Sequence, residues 1–124
     1  MRLRQSRLET YYHRKRIVKK DGEGSTYEEY GAASPFSGES WPASGKVQAQ
    51  QYGQRLGYIR NLKIAGGYTI EPDKDGKLHY VLENGTDLME LDGICLFSGE
   101  NARPDYKIVA VKPYRFLTLE VERI

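Results

Sequence analysis

An all-β domain, a small antiparallel β-barrel or sandwich with one short helix and long loops, is the fold class this 124-residue sequence predicts. Three observations carry the prediction. The last third holds three strand-like runs, 92–97, 104–111 and 114–122, each rich in β-branched and aromatic residues and punctuated by Gly, Pro, Asn and Asp. In the last run Leu117, Leu119 and Val121 alternate with Thr118, Glu120 and Glu122, the period-2 pattern of a strand with one wet face. Tyrosine is frequent, at 10 residues against 3 Phe and 1 Trp, and suits half-buried strand positions where the ring packs and the hydroxyl stays wet.

The elements follow in order. Residues 1–9 read as an N-terminal arm. Residues 10–19 form a first strand, ended by Asp21-Gly22-Glu23-Gly24, whose glycines permit a tight turn. A second strand begins at 27–30. Over 31–45 the composition turns to Gly, Ala, Ser and Pro, with Pro35 and Pro42 opposing regular pairing. An irregular, bulged strand or a flexible loop fits that stretch, and a loop is expected at its centre. Residues 46–49 read as a short strand and 50–56 as a turn or two of helix, weakened by Gly53 and ended near Gly57. Strand character returns over 58–64, with Tyr58, Arg60, Leu62 and Ile64 on one face and Ile59, Asn61 and Lys63 on the other. An extended hairpin is expected over 66–91, with arms 68–71 and 77–82 and its tip at Asp73-Lys74-Asp75-Gly76; Asn84-Gly85 supplies a further turn. The whole of 1–124 reads as one domain without internal repeats.

Composition narrows the classes. Hydrophobic residues make up 39% and charged residues 29%, which marks a folded rather than a disordered chain. No apolar run approaches the roughly 20 residues that span a bilayer, so no membrane partner is expected. Arg2, Arg4 and Arg7 are not followed by an apolar stretch, and one cysteine, Cys95, excludes an intramolecular disulfide; synthesis in a cytoplasm is the expectation. The net charge of +2 is unevenly spread, since residues 1–20 hold eight Lys or Arg and one acid, Glu9. Such a segment fits DNA phosphates or an acidic partner. The plainer reading, preferred here, is a solvated charged face that discourages edge-to-edge aggregation.

Candidate chemistry is sparse. His13, His79 and Cys95 lie in separate strand-like segments without metal-ligand spacing, so no metal and no cofactor is expected. Cys95 sits in an apolar run and reads as a buried, inert thiol; native-state alkylation would separate it from a nucleophile. Around Asp73 and Asp75 the spacing begins like a calcium loop counted from Glu71, but the twelfth position is Leu82 and strands flank it, so a plain hairpin tip is preferred. Gly22-Glu23-Gly24 lacks the lysine and helix of a phosphate loop, and no serine lies in a nucleophile elbow. Tyr11, Tyr12, Arg14 and Arg16 resemble a stacking platform for single-stranded nucleic acid, although ordinary strand composition explains the same residues. An enzyme is not expected.

A resemblance adds to these readings. Tyr27-Glu28-Glu29-Tyr30-Gly31, 41–49 (Trp-Pro-Ala-Ser-Gly-Lys-Val-Gln-Ala), Tyr52-Gly53-Gln54-Arg55-Leu56, Asp92-Gly93-Ile94-Cys95 and Pro104-Asp105-Tyr106-Lys107-Ile108, taken in order, resemble the bacteriophage head-tail joining family of head-closure or stopper proteins. The likeness runs from about residue 8 to the end. It implies a small β-barrel that assembles as a ring of six or twelve copies beneath the portal and adaptor ring. Such a ring retains packaged DNA, which passes without sequence-specific binding, and offers a platform to tail proteins. The implied location is the virion head-tail junction after synthesis in the host bacterial cytoplasm, and no catalytic residue or cofactor carries over. The segment 66–91 is longer than the family's simple strand connection, so no channel-plug position transfers. On this reading Arg14 and Arg16 seat against an acidic neighbour, Phe36 and Trp41 anchor an interface through 31–45, and Asp73 and Asp75 face the channel and repel phosphates. The alternatives are a tail-completion or terminator ring subunit and, from another class, a nucleic-acid-binding β-barrel.

Overall fold

The computed structural model describes residues 8–124; of the expected arm 1–9, residues 1–7 lie outside the described residues. Nine strands run β1 (Glu9–Lys20), β2 (Thr26–Pro42), β3 (Ile59–Ile64), β4 (Tyr68–Pro72), β5 (Leu78–Leu82), β6 (Asp87–Leu88), β7 (Gly93–Cys95), β8 (Tyr106–Pro113) and β9 (Leu117–Arg123). Helix α1 (Lys46–Tyr52) and a 3-10 turn (Gly53–Tyr58) connect β2 to β3. Six strands close an antiparallel barrel in the order β1-β2-β3-β9-β8-β7, and β4-β5-β6 form a separate three-stranded sheet. Leu62, Ile64, Ile94, Ile108, Leu119 and Val121 fill the barrel, and Tyr80, Leu82 and Leu88 of the second sheet extend the same core. No helix among the described residues is long and apolar enough to cross a membrane.

The β1–β2 hairpin forms where its turn was expected. Asp21 Oδ1 accepts the N–H groups of Glu23 and Ser25, both at 2.9 Å, and Gly24 takes a φ of 86° that a side chain would resist. The segment 31–45, by contrast, is not a flexible loop. Through Pro42 it belongs to β2, paired with β1 from Gly38 back to Thr26 and with β3 from Gly38 to Pro42. Pro35 is tolerated because it precedes the β3 pairing, where β2 has a strand on one side only. Gly38 is required for another reason, since a Cβ there would stand 2.7 Å from the Lys63 carbonyl oxygen. The small residues that imitate a loop serve a strand crossing close to its neighbour.

Two further expectations change. Residues 46–49 are the start of α1, not a strand: Gly45 leads in at φ 93°, and the Gln48 side chain turns back to accept the Ser44 N–H at 3.0 Å. The polar face of β9 is not uniformly wet, because Glu120 is 0% exposed and Thr118 is buried. The outer face of β3–β9 holds the register pair Asn61 and Glu120, and α1 reaches it through its sole buried residue, Gln48. Gln48 Nε2 donates to Asn61 Oδ1 and to Glu120 Oε2, both at 2.7 Å, while Lys112 Nζ stands 3.4 Å from Glu120 Oε1. The extended hairpin expected over 66–91 is the β4–β5 hairpin with β6 added through the Asn84-Gly85 turn.

Candidate functional site

The surface that stands apart from the barrel is a two-stranded ribbon. Pairing between β1 and β7 stops at Arg14, β2 meets β3 only from Gly38, and a register shift falls between Arg14 and Arg16. Beyond the shift, 16–20 and 26–30 pair with each other alone among the described strands, leaving Ile17, Val18 and Tyr27 exposed. Bulges of this kind add twist and turn a ribbon out of its sheet. Across it, Arg16 meets Glu28 through Nε and Nη2, both at 2.9 Å, and Lys19 meets Glu29 at 2.8 Å. Cross-strand acids thus neutralise part of the basic run, and exposed pairs of this type, screened by solvent, add little to stability.

The residues singled out in the sequence have unlike fates. Arg14 braces the base of the ribbon by donating to the carbonyls of Gly31 (2.8 Å) and Glu100 (2.6 Å), so it is not presented as a free cation beside Arg16. Phe36 is 5% exposed, its ring centroid 6.0 Å from that of Tyr11; it is a core residue rather than an interface anchor, because a strand replaces the expected loop and turns it inward. Trp41 is exposed at the end of β2, where the Lys63 ammonium stands 5.8 Å from its centroid and 5.9 Å from that of Phe116. Asp73 staples the β4–β5 tip, its Oδ1 accepting from the N–H of Asp75 (2.8 Å) and Lys77 (3.0 Å) and its Oδ2 lying 3.1 Å from His79 Nε2. His79 chiefly holds the Asp73 carboxyl below the usual range. Asp75 is exposed at the tip. The stacking platform is not assembled, since Tyr11 is in the core and both arginines are engaged.

The sequence reading missed a polar hub. Asp92 is almost fully buried; its Oδ2 meets His13 Nε2 at 2.7 Å and the Met89 N–H at 3.0 Å, and its Oδ1 accepts the Arg16 N–H at 3.0 Å. Lys15 Nζ lies 3.5 Å from Asp92 and 3.6 Å from Asp87. Asp87 in turn receives His79 Nδ1 at 2.8 Å, so polar contacts run from the barrel wall into the second sheet. One signal was available: His13 shares the inward phase of Tyr11, and a buried imidazole needs a partner. Asp87 and then Asp73 raise the His79 pKa. Burial first, and the Glu120 carboxylate next, push the Tyr52 hydroxyl up to about 12.

Cys95 is buried and stands opposite Tyr12, whereas His13 stands opposite Ile94, so the two side chains leave opposite faces of the sheet. Among the described residues no group of three or more His, Cys, Asp or Glu is placed to hold a metal ion. The class defined by this fold and its surfaces is a small closed antiparallel barrel bearing an appended sheet and a projecting ribbon. Compared with family models, with curated proteins and with solved structures, the chain matches none.

Proposed function

We propose that the protein is a structural virion subunit of a tailed phage or prophage, forming the head-closure ring between the portal and adaptor and the tail. Beside the family resemblance, one observation carries the reading: a closed, well-filled barrel that projects a ribbon with Ile17, Val18 and Tyr27 in solvent. A barrel without a free edge supplies a rigid body, and an apolar projection on it gains stability only when a neighbour covers it. Identical copies in a ring, six or twelve on this reading, provide such neighbours, as do the adaptor ring above and the tail proteins below. Packaged DNA passes the assembly without base-specific contacts.

Electron microscopy of particles from a phage or induced prophage lacking the gene tests the proposal. Emptied heads beside complete, detached tails are expected. Full heads with abnormal tails would transfer the protein to tail completion, and normal virions would overturn the structural role.

A further inference from the structure

The β4–β5 tip has no apolar anchor. Of residues 71–78 only Asp73 is not exposed, and on β5 the packed core begins at Tyr80. The order of the tip therefore rests on polar contacts, and these converge on one residue. Asp73 Oδ1 accepts the N–H groups of Asp75 and Lys77, the Asp73 N–H donates to the Lys77 carbonyl at 2.9 Å, and the Gly76 N–H donates to the Asp73 carbonyl at 3.0 Å. The Asp73 carboxylate is fixed in turn by His79, whose Nε2 meets Oδ2 at 3.1 Å.

The other nitrogen of the same ring, Nδ1, faces both oxygens of Asp87, at 2.9 and 2.8 Å. An ionised carboxylate only accepts, and a neutral imidazole carries a single N–H. Both contacts are hydrogen bonds at once only when the ring is an imidazolium. Asp87 first and Asp73 next favour that cation, whereas Lys15 on β1, 3.6 Å from Asp87, opposes it. Glu71 stands directly opposite His79 on β4, Lys77 lies two residues before it, and Asp92 is the second carboxylate that Lys15 approaches, at 3.5 Å. The His79 side chain is 22% exposed, so protons reach the ring without unfolding.

We infer that His79 is a pH-operated latch for the β4–β5 tip, closed when the ring is protonated and open when it is neutral. On losing a proton the ring keeps its N–H on Asp87, the shorter contact and the one with two acceptor oxygens. At Nε2 a lone pair then confronts the Asp73 carboxylate. That carboxylate swings away, and the N–H groups of Asp75 and Lys77 lose their acceptor. The barrel, with Ile108, Leu119 and Val121 fully buried, stays shut while the tip loosens. Because the two carboxylates hold the proton on the ring, the tip is closed below a pH that lies above the ordinary histidine value, and looser and more acidic beyond it. The device is complete within one chain and operates whether or not copies assemble.

NMR measurement of amide exchange with water, on the whole chain from about pH 5 to pH 9, reads the latch residue by residue. After correction for the chemical rise of exchange with pH, the Asp75 and Lys77 amides are expected to lose protection about tenfold, the scale of one hydrogen bond. The midpoint should coincide with the titration of the His79 ring protons, and the amides of β9 should show no such step. His79→Ala should hold the two tip amides at the faster exchange at every pH. Asp73→Asn should reverse the sense, because its side-chain N–H donates to the Nε2 of the neutral ring and clashes with the N–H of the cation. Tip protection that stays constant while His79 titrates, or that changes in step with β9, would overturn the latch. So would a His79 ring that keeps one charge state throughout, or an Asp73→Asn chain that responds in the parent's direction.

Discussion

Removing the Gln48 side chain tests what holds α1 to the barrel. Gln48 is the one buried residue of that helix, and its amide joins Asn61 and the fully buried Glu120 at 2.7 Å each. Gln48→Ala deletes four hydrogen bonds, one of them to a carboxylate, and leaves that carboxylate facing Lys112 Nζ at 3.4 Å. A hydrogen bond to a charged group contributes about 1.5–3 kcal/mol, and an unpaired buried acceptor adds to the loss, so about 3 kcal/mol is expected. For a chain of this length, an unfolding entropy near 2.1 cal/mol/K per residue converts that loss into a fall in Tm of about 10 °C. Val47→Ala, on the exposed side of the same helix, controls for propensity and should move Tm by about 2 °C at most. Circular dichroism melts of the two variants and the parent decide the matter. Equal melting of Gln48→Ala and Val47→Ala would refute the claim that this polar cluster anchors α1.

Three other outcomes are expected. Asp92→Ala strands the donors of His13, Arg16 and Met89 beneath the surface and should cost about 3–5 kcal/mol by denaturant titration; a loss below about 1 kcal/mol would contradict its role as a hub. His79, whose folded pKa is raised by Asp87 and then Asp73, contributes stability that is complete below its unfolded value and lost as pH rises through the folded one. Proton NMR should therefore place its titration above the ordinary histidine value, and His79→Ala should abolish the loss; titration at or below that value would refute the pairing. Cys95 should resist alkylation in the native chain and react only on unfolding, followed by intact mass; rapid native labelling would contradict its burial.

The parts legible in sequence were those whose signal is local. The alternation of Leu117, Leu119 and Val121 marks β9, Asp73-Lys74-Asp75-Gly76 marks the β4–β5 tip, and Asp21 with Gly24 marks the first turn. The parts that were not legible depend on distant packing. Nothing within 117–122 announces that a helix seventy residues earlier covers Glu120 with an amide. Gly38 weakens any local case for a strand, yet the strand needs it to pass the Lys63 carbonyl. Once β2 is continuous, Phe36 falls inward and Trp41 stays out, so one misjudged segment separated two residues that had been given one role. Arg14 looked like exposed charge because the carbonyls that engage it, on Gly31 and Glu100, carry no sequence signature.

The order of strands in the barrel has a consequence for how the chain is made. β3 is bordered on one side by β2 and on the other by β9, whose first residue follows the last of β3 by more than fifty positions, and β1 waits for β7 across a still longer interval. Early hairpins can form as the chain emerges, but ring closure of the sheet must wait for Leu117–Arg123. Until then β3 offers an open edge with Leu62 and Ile64 bare, a state in which crowded nascent chains stick to one another. Synthesis pauses late in the message should therefore lower the soluble yield more than pauses early in it.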